Sequence, residues 1–117
     1  MDNWARYYDE DDVRVIPVTG EFDLANSDLL ETVIAAALEG EKTVVIDLSA
    51  AAYVDSTVLT LLVRQKKRAG QRLRIVVAEG SHIRRVFEIT GLHHGLGING
   101  SLDEAKAANQ PSSSPVL

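Results

Sequence analysis

The sequence predicts a single α/β domain with a mostly parallel mixed sheet of four to five strands, an N-terminal hairpin and about four helices. Short runs rich in Val, Ile and Leu alternate along the chain with longer amphipathic segments. Two such runs near the N-terminus are separated by the polar turn Asp9–Asp12. The 117 residues, 45% of them hydrophobic and 25% charged, suit one domain with a modest core. We expect the domain to span residues 1–108 and a disordered tail to span residues 109–117.

The N-terminal segment predicts a hairpin followed by a loop and a helix. Trp4–Tyr8 and Val13–Val18 are its strands, and Pro17, which has no N–H group, is expected at an edge or a bulge. Gly20–Leu24 is expected to be a loop. A helix should then begin at Asn26 or Ser27 and end at Gly40, with one apolar stripe formed by Leu30, Val33, Ile34, Ala37 and Leu38.

The middle of the chain predicts a buried strand and a second helix. The run Val44–Leu48 does not alternate in polarity, which is typical of a strand that is covered on both faces. Ser49–Val54 is expected to be a loop. Asp55, Ser56 and Thr57 then open a strongly apolar helix whose last turn is basic and which ends at Gly70.

The last third of the chain predicts another strand and two more helices. Arg72–Ala78 is the strand, and the next helix runs from its cap Ser81 to Gly91. Leu96–Ile98 is expected to be a final short strand. The capping box Ser101–Glu104 should open a short helix over Ala105 and Ala108.

Composition narrows the classes of function. A net charge of -5 and a pI of about 5.1 argue against an electrostatic nucleic-acid binder. The chain has no cysteine and therefore no thiolate metal site or thiol nucleophile. No apolar run approaches the roughly 18–20 residues that cross a bilayer. We expect a cytoplasmic protein without a membrane segment and without a cofactor of its own.

Ser56 is the first candidate for a functional residue. It stands at a predicted helix start, where unpaired N–H groups and the positive end of the helix dipole favour a phosphate. The simpler interpretation is that the sequence Asp55-Ser56-Thr57 only caps the helix. Gly20–Asp23 and Asp55-Ser56 both follow predicted strand ends, so parallel topology should bring them to one edge of the domain.

Three short motifs resemble the STAS domain, the family of anti-sigma factor antagonists. The first is Val45-Ile46-Asp47-Leu48-Ser49 followed by Tyr53-Val54-Asp55-Ser56-Thr57. The second is Gly20-Glu21-Phe22-Asp23, and the third and weakest is Thr90-Gly91-Leu92. They follow the order and spacing of the family, and the resemblance spans nearly the whole chain.

The resemblance implies a non-enzymatic binding module that is controlled by phosphorylation. The unphosphorylated form would bind an anti-sigma factor, itself a serine kinase, and so release a sigma factor. Phosphorylation of Ser56, or less favourably of Thr57, would end binding, and a phosphatase would restore it. ATP and magnesium would belong to the kinase. The implied partner-binding residues are Glu21, Asp23, Asp55, Ser56, Thr57 and Val58.

One departure from the family pattern leaves alternatives open. Val58 stands where the family has Gly, and Thr60 replaces a second small residue. Val58 is expected to add bulk where a kinase approaches, which would alter partner choice or weaken phosphorylation. The alternatives are a STAS scaffold or transporter-associated subunit without phosphorylation, and a small-ligand-binding α/β module.

Two further patterns are weaker. The run Gly95–Gly100 matches G-x-G-x-x-G, but it follows a helix and little chain remains after it, so we interpret it as a Gly-rich connection. A row of cations could form a patch for an acidic partner, although solvated charges at a helix end are the simpler interpretation. The row consists of Arg64, Lys66, Lys67, Arg68, Arg72 and Arg74.

Overall fold

Seven strands and five α-helices make up the part of the chain that the computed structural model describes, residues 6–107. The strands are β1 (Tyr8–Glu10), β2 (Val13–Pro17), β3 (Gly20–Phe22), β4 (Thr43–Asp47), β5 (Ala51–Val54), β6 (Leu73–Val76) and β7 (Ile98–Asn99). The helices are α1 (Ser27–Ala37), α2 (Ser56–Ala69), α3 (His82–Thr90), α4 (His93–Leu96) and α5 (Leu102–Ala107). The predicted domain end at residue 108 and the predicted tail lie outside the described residues.

Five strands form the main sheet in the order β1-β2-β4-β6-β7. β1 pairs with β2 in antiparallel fashion, and every other neighbouring pair is parallel. The predicted mostly parallel sheet with an N-terminal hairpin is therefore confirmed. In the central strand β4, Val44, Val45 and Ile46 are all fully buried, as the apolar run without alternation predicted.

The two faces of this sheet are covered unequally. α1, α2 and α3 pack on one face, where their apolar stripes join Val44 and Ile46 in the larger core. α5 covers the other face, where Ala105 packs with Val45 and Val76 in a smaller cluster. The sheet is therefore the middle layer of a three-layer domain.

The predicted loops on either side of the site are wrong in part, because each contains a short strand. β3 and β5 pair in parallel and form a separate two-stranded sheet, with Glu21 opposite Tyr53 and Phe22 opposite Val54. Phe22 and Val54 are buried, which anchors the small sheet to the core. The strands are only three and four residues long and rich in Gly and Ala, so they carry little strand signal.

Smaller differences lie at the ends of elements. β1 begins at Tyr8, where the prediction ended, and Trp4 lies outside the described residues. β7 is Ile98–Asn99 because Leu96 belongs to the short helix α4, which the sequence did not predict. α5 is described as far as Ala107.

Pro17 occupies a local edge, as predicted. β1 reaches only as far as the pairing of Tyr8 with Val15, so it no longer covers β2 at Pro17. The neighbouring Val18 donates its N–H to the Asp47 carbonyl on the β4 side, at 2.9 Å. Because N–H groups alternate along a strand, the missing N–H of Pro17 falls on the side that β1 has left.

No helix in residues 6–107 is long and apolar enough to cross a membrane.

Candidate functional site

Asp55 joins the start of α2 to the loop that follows β3. Its Oδ1 accepts the Val58 N–H at 3.1 Å, which caps the helix, and its Oδ2 accepts the Leu24 N–H at 3.1 Å. Its own N–H donates to the Phe22 carbonyl at 3.2 Å. The predicted cap is confirmed. Both carboxylate oxygens are engaged, so the two segments that the sequence placed at one edge do meet there.

The loop after β3 is braced by its own polar side chains. Asp23 Oδ1 accepts the Ala25 N–H at 2.9 Å, and Asn26 Oδ1 accepts the Asp23 N–H at 2.8 Å. Asn26 Nδ2 also donates to the Glu21 carbonyl at 3.1 Å. The loop therefore holds a fixed shape while it presents Leu24, whose surface is 73% exposed.

Asn26 has a role that sequence reasoning missed. It occupies the N-cap position of α1, as predicted, but its side chain forms no capping hydrogen bond. It braces the loop instead. The signal was the pair Asp23 and Asn26 between a strand end and a helix, since both residue types favour bonds to nearby backbone.

Ser56 is the first residue of α2 and is exposed. Within residues 6–107, the Ser56 and Thr57 N–H groups have no hydrogen-bond acceptor, because Asp55 takes only the third donor of that turn. The helix start therefore displays a hydroxyl beside two free donors at the positive end of the helix dipole.

A shallow groove of about 410 Å³ lies beside Ser56, between α1 and α2. Its ionisable residues are Asp28, Glu31 and Arg64, which together carry one net negative charge. Arg64 spans the groove and lies 3.9 Å from Glu31. None of the three histidines lines this groove, so no imidazole is placed there to activate the Ser56 hydroxyl.

The other predicted partner-binding residues differ in their exposure to solvent. Glu21 and Asp23 are exposed, whereas Asp55 and Thr57 are half-buried. Val58 is fully buried and packs in the larger core. The expectation that its side chain adds bulk for an approaching kinase needs correction, because that side chain points away from the surface. Only the Val58 backbone belongs to the site.

Among the described residues, no three His, Cys, Asp or Glu side chains are grouped closely enough to hold a metal ion.

Fold and site together define a small α/β domain that presents a capped helix start, with an exposed serine, at the edge of its sheets. The chain belongs to the STAS domain family, whose model matches residues 5–105.

Named relatives support this assignment. The anti-sigma-F factor antagonist RsfB of Mycobacterium tuberculosis is 33% identical over 99 residues, which cover 83% of this chain and 81% of that protein. The putative anti-sigma factor antagonist BtrV of Bordetella bronchiseptica is 33% identical over 101 residues, covering 84% and 87%. The crystal structure of an anti-sigma factor antagonist from Mycobacterium paratuberculosis superposes with a TM-score of 0.78 at 31% identity, covering 87% of this chain and 89% of that one.

Proposed function

We propose that this protein is an anti-sigma factor antagonist and that phosphorylation of Ser56 switches its binding off. The observation that carries the proposal is the exposed Ser56 at the first position of α2, held there by the Asp55 cap. The names of the two curated relatives and of the solved structure support the same class of function.

In the proposed cycle, the unphosphorylated form binds an anti-sigma factor that is also a serine kinase, and a sigma factor is thereby released. The kinase supplies ATP and magnesium and transfers a phosphate to Ser56, and a phosphatase removes it. This chain contributes the acceptor hydroxyl and the surface around it. That surface consists of the exposed Glu21 and Asp23, the cap Asp55, and the half-buried Thr57.

The switch follows from the charge around Ser56. A phosphate adds about -1.5 to -2 charges at neutral pH. The groove beside Ser56 already carries one net negative charge from Asp28, Glu31 and Arg64. A partner that fits a small neutral hydroxyl there must then bury a strongly anionic group without a matched cation, which costs several kcal/mol.

The fold should survive phosphorylation. The Ser56 and Thr57 N–H groups are available to a phosphate, and the helix dipole stabilises its charge. The hydrogen bonds of Asp55 to Val58 and Leu24 fix the start of α2 and the neighbouring loop, so we expect both to keep their positions when the phosphate is added. The change is therefore one of surface charge rather than of conformation.

The intact mass of the protein purified from its own cells tests the phosphorylation step. We expect the wild type to carry one phosphate that phosphatase treatment removes. Ser56→Ala should carry none, whereas Thr57→Val, the matched control, should still carry it.

Two outcomes would contradict the proposal. Phosphate on Ser56→Ala that is lost from Thr57→Val would move the site to Thr57. The absence of phosphate from every form, in growth and under stress, would favour a scaffold or transporter-associated subunit that is not phosphorylated.

A further inference from the structure

A second cavity lies at the other end of α2. It has a volume of about 700 Å³ and is bounded by the last turns of α2, the start of β6 and the segment that contains α4. Lys66, which lines it, is ten residues from Ser56 on the same helix, or roughly 15 Å along the axis. It is therefore a separate place from the Ser56 groove.

The charge of this cavity is opposite to that of the protein. Lys66, Lys67 and Arg74 line it, and no Asp or Glu of residues 6–107 does, although the chain as a whole carries a net charge of -5. Within residues 6–107, neither lysine forms an ion pair. Lys66 Nζ donates to the Leu73 carbonyl at 2.6 Å, which holds the ammonium group in place.

The surroundings of Lys66 destabilise its positive charge. Its burial and the neighbouring Arg74 charge both lower the pKa of Lys66, since each disfavours the protonated form. An anion in the cavity would relieve this unfavourable interaction directly.

Apolar side chains and glycine backbone make up most of the remaining lining, and Gln71 and His94 are its other polar side chains. Leu96 is buried, and Val63 and Leu92 are half-buried, so they provide an apolar wall. Gly91 and Gly95 leave open space, because a Cβ atom at either would have no neighbour within 4 Å. An apolar body can therefore lie against the wall while its charged end reaches the cations.

We propose that this cavity binds a small organic anion, a phosphate or carboxylate carried on an apolar body. The three cations, with no carboxylate of residues 6–107 in the lining, favour a negatively charged ligand. The apolar wall favours a ligand with an apolar portion. A volume of about 700 Å³ falls within the range typical of small-molecule sites. Three cations of the sequence row (Lys66, Lys67 and Arg74) and the first part of the Gly-rich run (Gly95–Gly97) thus acquire a common role. This proposal does not depend on the phosphorylation of Ser56.

The test is an NMR titration of the ¹⁵N-labelled protein with octyl phosphate and octanoate, each below its micelle-forming concentration, and with octanol below its solubility limit. We expect saturable shifts of the Gly91, Gly95 and Gly97 amides with at least one anion. That anion should bind about tenfold or more tightly than octanol, the neutral control. The anion that binds more tightly identifies the head group.

Two variants locate the binding. Lys67→Glu should weaken binding of the anion about tenfold, because it reverses a charge that lines the cavity. Arg68→Glu makes the same charge change one residue along the helix, outside the lining, and should alter binding less than about twofold. Both positions are exposed, so the fold should be retained.

The proposal is overturned if neither anion gives saturable shifts, or if octanol binds as tightly as the anions. Equal weakening by Lys67→Glu and Arg68→Glu would also overturn it, since that result indicates diffuse attraction to the helix. Ser56→Asp should bind the anion as tightly as the wild type does. A failure of the anion-binding proposal can therefore be distinguished from a failure of the phosphorylation proposal.

Discussion

At the residue scale, the site depends most on the carboxylate of Asp55. One oxygen caps α2 and the other holds the loop after β3, so a single side chain fixes the position of Ser56 relative to Asp23. A serine on an unbraced turn would sample many orientations, and ordering it on binding would cost conformational entropy. Because Ser56 is already held in one orientation, this entropy cost of binding a partner is lower.

Asp55→Ala should lower the free energy of unfolding by about 2 kcal/mol, because it removes a helix cap and a second hydrogen bond. Asp55→Asn keeps one side-chain oxygen and should lose about half as much. Urea denaturation measures both. If Asp55→Ala lowers the free energy of unfolding no more than an ordinary surface substitution does, the two Asp55 hydrogen bonds do not stabilise the site.

The sequence predicted part of the site at this scale. Asp55 was predictable as a cap because its residue type and position are sufficient to indicate one. The burial of Val58 follows from its place on the apolar face of α2 and not from its position in the motif. Val58 shares a face with Leu62, four residues later, and both are fully buried.

At the scale of elements, α1 ends without a basic residue in its last turn and receives cations from elsewhere in the chain. Arg72 donates to the carbonyls of Leu38, Gly40 and Lys42 at 3.0, 3.0 and 2.9 Å. Arg14 donates to the Glu39 carbonyl at 3.1 Å. These bonds satisfy carbonyl groups at the end of the helix and in the segment that leads from it to β4.

Arg72→Met should therefore destabilise the protein by about 2 kcal/mol, because three carbonyls lose a charged donor together and two of these bonds are half-buried. Arg68→Met is the matched control, since Arg68 is exposed near the end of α2, and it should change stability by less than about 0.5 kcal/mol. Urea denaturation compares the two. Equal losses would indicate that general charge, rather than these bonds, matters.

Two long-range features were not predictable from the sequence, and for the same reason. They are the pairing of β3 with β5 and the hydrogen bonds of Arg72 near the end of α1. Both join segments about 30 residues apart in the sequence, and neither leaves a periodic pattern. The amphipathic helices were predictable because each carries its own stripe, as α1 does with Leu30, Val33, Ile34 and Ala37.

At the scale of the whole molecule, ion pairs connect the N-terminal hairpin to distant segments. Asp9 lies 3.0 Å from Arg14 and 3.3 Å from Lys42, which precedes β4. Lys106 on α5 pairs with Glu10 and Asp11 of the hairpin, and these bonds, opposed by a small desolvation effect, raise the pKa of Lys106. The hairpin is thus joined both to the segment before β4 and to α5.

The Asp9 network makes stability depend on pH in the acid range. Desolvation opposes ionisation of Asp9, but hydrogen bonds from Arg14 and Lys42 outweigh it and lower the pKa of Asp9 below 3.8. Its contribution should be present above pH 3.8 and lost as the pH falls through the lower folded value.

Asp9→Asn should therefore be less stable than the wild type at pH 6, and the difference should shrink toward zero below the folded pKa. Thermal unfolding at a series of pH values measures this. Asp12→Asn, an exposed change in the hairpin turn outside these ion pairs, is the control and should show no such convergence. A difference between Asp9→Asn and the wild type that does not vary with pH would contradict the account.

The overall architecture was predictable because the strands and helices alternate and the chain is short. The strand order was not, since several orders satisfy the same pattern. The placement of α5 opposite α1 and α2 also depends on long-range packing of Ala105 with Val45 and Val76, which no local signal reports.

The most direct test of the central claim is capture of partners from a lysate of the protein's own cells, with bound proteins identified by mass spectrometry. The immobilised forms are the wild type, Ser56→Asp and Ser56→Asn. The two variants match each other in size and differ in the charge at position 56. We expect the wild type and Ser56→Asn both to retain an anti-sigma factor with a kinase domain, and Ser56→Asp to lose it. Equal retention by Ser56→Asp and Ser56→Asn would contradict the switch, and capture of no anti-sigma factor by any form would contradict the proposed function.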